Sequence, residues 1–185
     1  MTAGSRLPAW AEASPERIAH VERVALLAGG WADRMQISPA ERERWLRAVW
    51  LHDALRDASP ESLDRWAADA PGPASLRHGP ASAARAAAEG ETDQGILDAV
   101  RYHSVGWAEW DMVGRVLYCA DFLEPGREFG REYRAALAQR FPDDPAGVLL
   151  AVARDRLSHI VVSGWPLIDP TVRFWNSLVA PSASR

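Results

Sequence analysis

Trp50-Leu51-His52-Asp53-Ala54-Leu55 sets an adjacent histidine and aspartate at the end of an apolar run. Burying either side chain is costly unless something pairs with it, and a metal ion is one such partner. Upstream, Ser38-Pro39-Ala40-Glu41 is a capping box with proline in the first turn, a strong helix start. The helix it opens carries Trp45, Ala48, Val49 and His52 on one stripe, widened by Leu46, Trp50 and Ala54. That breadth predicts a central helix buried on much of its circumference. His52 and Asp53, about 100° apart around a helix, can both approach one ion near their shared edge.

The same helical grammar extends in both directions. Ser14-Pro15 starts a helix through Ile18, His20, Val21, Val24, Ala25 and Ala28, and Gly29-Gly30 marks a candidate kink before Trp31. Ser59-Pro60 starts a third helix to about Asp69, which Ala70-Pro71-Gly72-Pro73 breaks. His78 precedes an alanine-rich helix begun at Pro80 and stopped near Gly90. Thr92-Asp93 caps a helix in which Ile96, Val100 and His103 recur at helical spacing, with Gly106 soon after. Asp111 caps another whose stripe reads Val113, Leu117, Asp121 and which ends at Glu124-Pro125-Gly126. Helices over about 128–140 and about 145–163 follow, and a last short one begins after Asp169-Pro170. Strand-like alternation is scarce. The expected fold is all-α, a single globular bundle of about eight helices over residues 14–179, with a loosely held arm at 1–13 and a tail at 180–185.

A chain of 185 residues with 48% hydrophobic content is long enough to bury a core of its own. Cys119 is the lone cysteine, which rules out an internal disulfide and a thiolate metal site. Without a basic, then apolar, leader or an apolar run of membrane-spanning length, the expected location is the cytoplasm, with no membrane partner. The net charge of -4 gives no general nucleic-acid footprint. All 21 cationic residues are arginine, which composition alone does not tie to phosphate.

His20, His52, Asp53, His78, His103 and Asp121 each sit on an apolar helical face or at a helix end. A lone histidine on such a face is ordinarily a hydrogen-bonded core residue. Asp121 says more, because a carboxylate is rarely buried without a partner. Imidazole and carboxylate donors suit a divalent first-row ion. Six of them exceed what one ion takes while keeping a position for water, so the set points to two ions, which Asp53 can bridge. His159, in a helix of mixed character, reads as a rim residue.

In the order H…HD…H…H…D, the chain resembles the HD-domain metal phosphohydrolases, and more narrowly the YqeK-type branch, which hydrolyses diadenosine tetraphosphate symmetrically to two ADP. The specific elements are His78-Gly79-Pro80 and Ala120-Asp121-Phe122-Leu123-Glu124-Pro125-Gly126-Arg127, with His103-Ser104-Val105-Gly106, Asp169-Pro170-Thr171 and Trp175-Asn176 beside them. The resemblance implies an HD-domain fold. It implies one ion on His20, His52, Asp53 and Asp121, a second on His78, His103 and the shared Asp53, and Asp53 as the catalytic bridge that helps activate water. It implies iron, with manganese, cobalt, zinc or magnesium as alternatives, and attack of the activated water on a phosphorus of the polyphosphate. Arg127 matches the family's arginine after Glu-Pro and could hold a phosphate or pair with Glu124 or Glu128. Arg56 stands where the family has lysine, so its phosphate contact changes in reach. The partner so implied is a small dinucleoside polyphosphate or nucleotide, and a homodimer is left open. Other readings of the residues are an HD phosphohydrolase for another nucleotide or phosphoester, a di-iron oxygenase, and a nucleotide-sensing module. Trp107 and Trp110 are candidates for stacking on a base, with core packing as the ordinary alternative.

Overall fold

The structure is a computed structural model that describes residues 6–70 and 72–180. Among these residues there are nine α-helices and one short 3-10 turn, and no strand. They are α1 (Pro15–Arg34), α2 (Pro39–His52), α3 (Pro60–Ala67), α4 (His78–Ala88), α5 (Gln94–Tyr102), α6 (Met112–Leu123), α7 (Arg131–Arg140), α8 (Pro145–Val162) and α9 (Asp169–Val179). The class is all-α, as the patterning predicts, with nine helices where about eight were expected.

Local chemistry sets most helix starts. Ser14, Ser38, Ser59 and Asp144 each accept a backbone N–H with their side chain while proline follows directly, and Asp93 and Asp111 cap α5 and α6 in the same way. Gly29-Gly30 does not interrupt α1, which runs on to Arg34. Glycine only weakens a helix interior, and here Val24, Ala28, Trp31 and Ala32 are buried along the same helix.

Both α2 and α6 are central: α2 packs against α1, α4, α5 and α6, and α6 is the more deeply buried of the two. Nine of the twelve residues of α6 are buried, and it packs against α1, α2, α5, α7 and α8. By contrast α2 buries Trp45, Ala48, Val49 and His52 and leaves Leu46, Trp50 and Leu51 partly covered. A stripe's breadth measures how much of a helix could be buried, not how many neighbours arrive to bury it. Trp45, Val49, Val100, Val116 and Leu117 fill the common core of α1, α2, α5 and α6. Full burial of each such side chain contributes about 1.5–3 kcal/mol.

Residues 1–5 of the expected arm, Pro71 of the expected helix break and residues 181–185 of the tail lie outside the described residues. The rest of the arm is held. Trp10 packs against the small cluster of Leu55, Ala67 and Ala81, and the Glu12 amide donates to the Ala54 carbonyl at 2.7 Å. The segment after His52-Asp53 is thereby clamped from outside. At the other end α9 closes over the loop that follows His103. Gly106 there has φ of 89°, and a Cβ would meet the Phe174 ring at 2.1 Å. Thr171 Oγ1 donates to the Val105 carbonyl at 3.0 Å.

Candidate metal centre

His52, His78 and His103 stand at helix ends, and the backbone there fixes each ring. His52 is the last residue of α2, and its Nδ1–H donates to the Val49 carbonyl at 2.7 Å. His103 caps α5 and donates from Nδ1 to the Val100 carbonyl at 2.8 Å. His78 opens α4 and donates from Nδ1 to Ser75 at 3.0 Å. In all three the acceptor is the carbonyl three residues earlier. Because a carbonyl can only accept, each Nδ1 carries a proton, and in a neutral ring Nε2 is then the lone pair. His20 is oriented differently: its Nδ1 faces Glu124 Oε1 at 3.2 Å. A carboxylate behind a histidine is the common support for a metal-binding imidazole.

All four Nε2 atoms turn toward Asp53, and the two oxygens of this carboxylate divide them. Oδ2 lies 3.8 Å from His20 Nε2 and 3.6 Å from His52 Nε2. Oδ1 lies 3.4 Å from His78 Nε2 and 3.5 Å from His103 Nε2. Two groups of donors close enough to hold an ion result, His20-His52-Asp53 and Asp53-His78-His103, all buried. Asp121 joins the first side through His20 Nε2, 3.1 Å from its Oδ1. The buried Nε2 atoms of His20 and His52 have no hydrogen-bond partner of good geometry. The orphaned lone pair of His52 beside a carboxylate fits a divalent cation, and nitrogen and oxygen donors without sulfur fit a first-row metal.

The electrostatics prepare the ligands. Burial pushes His52 down to about 4 and His78 down to about 3, so both rings are neutral near pH 7. Burial would lower His20 as well, but Asp121 and Glu124 outweigh it and bring it up to about 9. A metal arriving at His20 therefore displaces a proton. Asp53 and Asp121 are held below the ordinary carboxylate range despite burial, Asp53 chiefly by His52 and His103, Asp121 by His20, Arg156 and Arg127.

A shell of charge surrounds the first group. Arg156 Nη2 donates to Asp121 Oδ2 at 2.7 Å while its guanidinium lies 4.4 Å from the Tyr118 ring centroid and 5.4 Å from that of Phe122. Glu124 also accepts from Arg23 Nε at 2.5 Å and from the Gly126 amide at 2.7 Å. Arg127 Nη2 donates to Asp121 Oδ1 at 2.9 Å, with its Nε 3.8 Å from Glu124. Arg17 Nη1 donates to Asp53 Oδ2 at 2.7 Å. Beside the second group the Ser104 hydroxyl lies 3.1 Å from His103 Nε2. A cavity of about 410 Å³ opens beside the first group, lined by Ser14, Arg17, His20, Asp57, Glu124 and Arg127 among others. A larger one of about 660 Å³, between Trp10, Trp50 and Arg47, includes none of the six ligand candidates.

The structure thus brings together His20, His52, Asp53, His78, His103 and Asp121, and sets Arg127 at the mouth. Arg56 stays outside: it donates to the Ser75 carbonyl at 3.3 Å, behind His78, and does not line the 410 Å³ cavity. Trp110 is core, its Nε1 donating to Asp98 and its ring packed on Phe174. Trp107 stacks on Tyr102 at 4.2 Å. His159 is exposed against Trp165. The sequence reading missed Arg17, Arg156 and the role of Glu124 behind His20. The glycine of His-Gly-Pro also gains a reason: a Cβ on Gly79 would meet the Arg101 carbonyl at 2.9 Å, so only glycine lets α4 lie this close to α5.

The chain is similar in sequence to known proteins. A symmetrical bis(5'-nucleosyl)-tetraphosphatase of Bacillus subtilis is 31% identical over 94 residues, 50% of this chain and 49% of that protein. A protein of the same name from Halalkalibacterium halodurans is 26% identical over 106 residues, 56% of this chain and 55% of its own length. The chain thus spans about half the length of the curated relatives it matches. The crystal structure of a Clostridium acetobutylicum protein, described as a predicted HD superfamily hydrolase involved in NAD metabolism, superposes with a TM-score of 0.77 at 22% identity over 90% of both chains, a likeness of fold. The HD domain model matches residues 17–137, a span that contains all six converging side chains. The chain belongs to the HD domain family.

Proposed function

We propose that this chain is a divalent-metal phosphohydrolase that cleaves diadenosine tetraphosphate symmetrically into two ADP. The observation that carries the metal reading is the division of Asp53, with Oδ2 facing His20 and His52 and Oδ1 facing His78 and His103. The substrate rests on the two relatives named symmetrical tetraphosphatases, which this chain matches over about half their length.

In this reading His20, His52, Asp53 and Asp121 hold one ion, His78, His103 and Asp53 the other, and iron is the metal. Bound there, the ions would acidify a water and neutralise phosphate oxygens. The chain's own residues supply the rest. Glu124 fixes the His20 ring, and Arg156 fixes the Asp121 carboxylate from the side facing the core. Arg127, nearly half exposed at the mouth, offers a forked donor to a phosphate. The cavity of about 410 Å³ is open enough for a polyphosphate to lie along it. Two equal products require attack next to the central bridging oxygen.

Chromatography of the products from diadenosine tetraphosphate tests this, with protein reconstituted anaerobically with ferrous iron or manganese beside Asp53→Ala. ADP as the sole product, absent with the variant, is the expected result. ATP plus AMP, or no turnover with either metal, contradicts the assignment. An oxygen-dependent product would point instead to the oxygenase chemistry open to a histidine-carboxylate di-iron site.

A further inference from the structure

We propose that Ser82 is a positioning residue of the metal centre, which from α4 sets how Asp53 reaches the His78-His103 group. The proposal rests on the two-ion reading above.

Asp53 is not held by the helix that delivers it. α2 ends at His52, and Asp53 is its cap, with φ of -111° and ψ of 18°. Its carboxylate is therefore placed by whatever holds residues 53–57, which are turns. From outside, the arm grips this segment: the Glu12 amide donates to the Ala54 carbonyl, and the Asp57 amide donates to the Glu12 carbonyl. From inside, the Leu55 amide donates to Ser82 Oγ at 3.2 Å, and both residues are fully buried. Ser82 lies one helical turn after His78 on α4, so the two share a face. Helix and turn are thus joined by two successive rungs, His78 Nε2 to Asp53 Oδ1 at 3.4 Å and Ser82 Oγ to the Leu55 amide. Among the alanines of α4 a serine is a poorer helix former, and its hydroxyl is spent on another element.

Removing the hydroxyl leaves a buried N–H without an acceptor, and the turn that carries it yields more readily than a packed helix. The two metal groups respond unequally. Asp53 is one donor of three beside His78 and His103, but one of four beside His20, His52 and Asp121. A hydroxyl that merely satisfied the Leu55 amide would lower the urea midpoint and leave metal binding alone. Manganese is titrated by calorimetry into chelator-stripped wild type, Ser82→Ala and Ala84→Gly, the last a control that weakens α4 on another side of the helix. His20→Ala and His103→Ala assign the two binding steps. The expected result for Ser82→Ala is that the step of the His78-His103 group weakens by about tenfold or more, while the other step stays as in wild type. Ala84→Gly should leave both steps unchanged. Two unchanged steps in Ser82→Ala, an equal loss in both, or the same loss in Ala84→Gly overturns the inference and leaves the metal reading standing. Wild-type protein that binds fewer than two ions overturns both.

Discussion

The Nε2 atoms of His78 and His103 stand 3.1 Å apart, although the Nδ1–H of each ring is already spent on a backbone carbonyl. In the neutral His78 ring this nitrogen is a lone pair facing His103, with Asp53 Oδ1 a further acceptor 3.4 and 3.5 Å from the two rings. Buried acceptors repel without a positive charge between them. The fold holds them together by packing α4 on α5 across Gly79, an arrangement that a cation between them would stabilise.

Gly79→Ala should therefore act on the metal centre through the helices. A methyl group at 2.9 Å from the Arg101 carbonyl and 3.0 Å from the Val100 carbonyl must push α4 off α5. The expected loss is about 1–3 kcal/mol of stability, and metal content falls from two ions toward one as His78 draws away from His103. Urea unfolding and elemental analysis check both parts. Unchanged metal content in the variant contradicts the link.

Glu124→Ala removes the acceptor behind His20 and leaves Arg23 and the Gly126 amide without their shared carboxylate. Loss of such a supporting carboxylate costs about 10–100-fold in metal affinity. Glu124→Gln keeps an oxygen for the His20 Nδ1–H and should lose less. Competition with a chelator of known affinity measures the order, and an equal loss in both variants would mean that charge rather than orientation is what Glu124 supplies.

Away from the metal centre, Asp93 ties α2 to α5. It caps α5 and accepts from Arg44 Nε at 2.6 Å and Nη2 at 3.0 Å. Hydrogen bonding from Arg44 holds its carboxyl below the ordinary value, against partial burial. A folded pKa below the unfolded one adds stability that is present above the unfolded value and lost as pH falls through the folded value. Asparagine still caps a helix but carries no charge. Asp93→Asn should cost about 0.5–1 kcal/mol near neutrality, and the gap to wild type should narrow as pH falls below the ordinary aspartate value of about 3.9. A gap in urea unfolding that stays constant over that range contradicts the ion-pair account.

How much of this was legible in the chain depends on how local each signal is. Ser-Pro and Asp-Pro starts report on their own few residues, so helix beginnings at 15, 39, 60 and 145 were readable. The candidate ligands were readable because His52 and His103 interrupt apolar stripes at helix ends, and Asp121 breaks one outright. Their supporting residues were not. Arg156 meets Asp121 across 35 positions and His20 meets Glu124 across 104, and an arginine alone in a helix looks like any solvated one. That α6 is buried more deeply than α2 was not readable for a similar reason. The broad stripe of α2 and the denser one of α6 differ in which other helices reach them, which only the assembled bundle decides.

The central claim, that Asp53 is shared between two ions, is tested most directly by X-ray structure determination of the manganese- or iron-loaded protein with anomalous scattering at the metal edge. The account predicts two anomalous peaks per chain, one bound by Asp53 Oδ2 with His20 and His52, the other by Oδ1 with His78 and His103. A single peak, or two that leave Asp53 bound to only one of them, would contradict it.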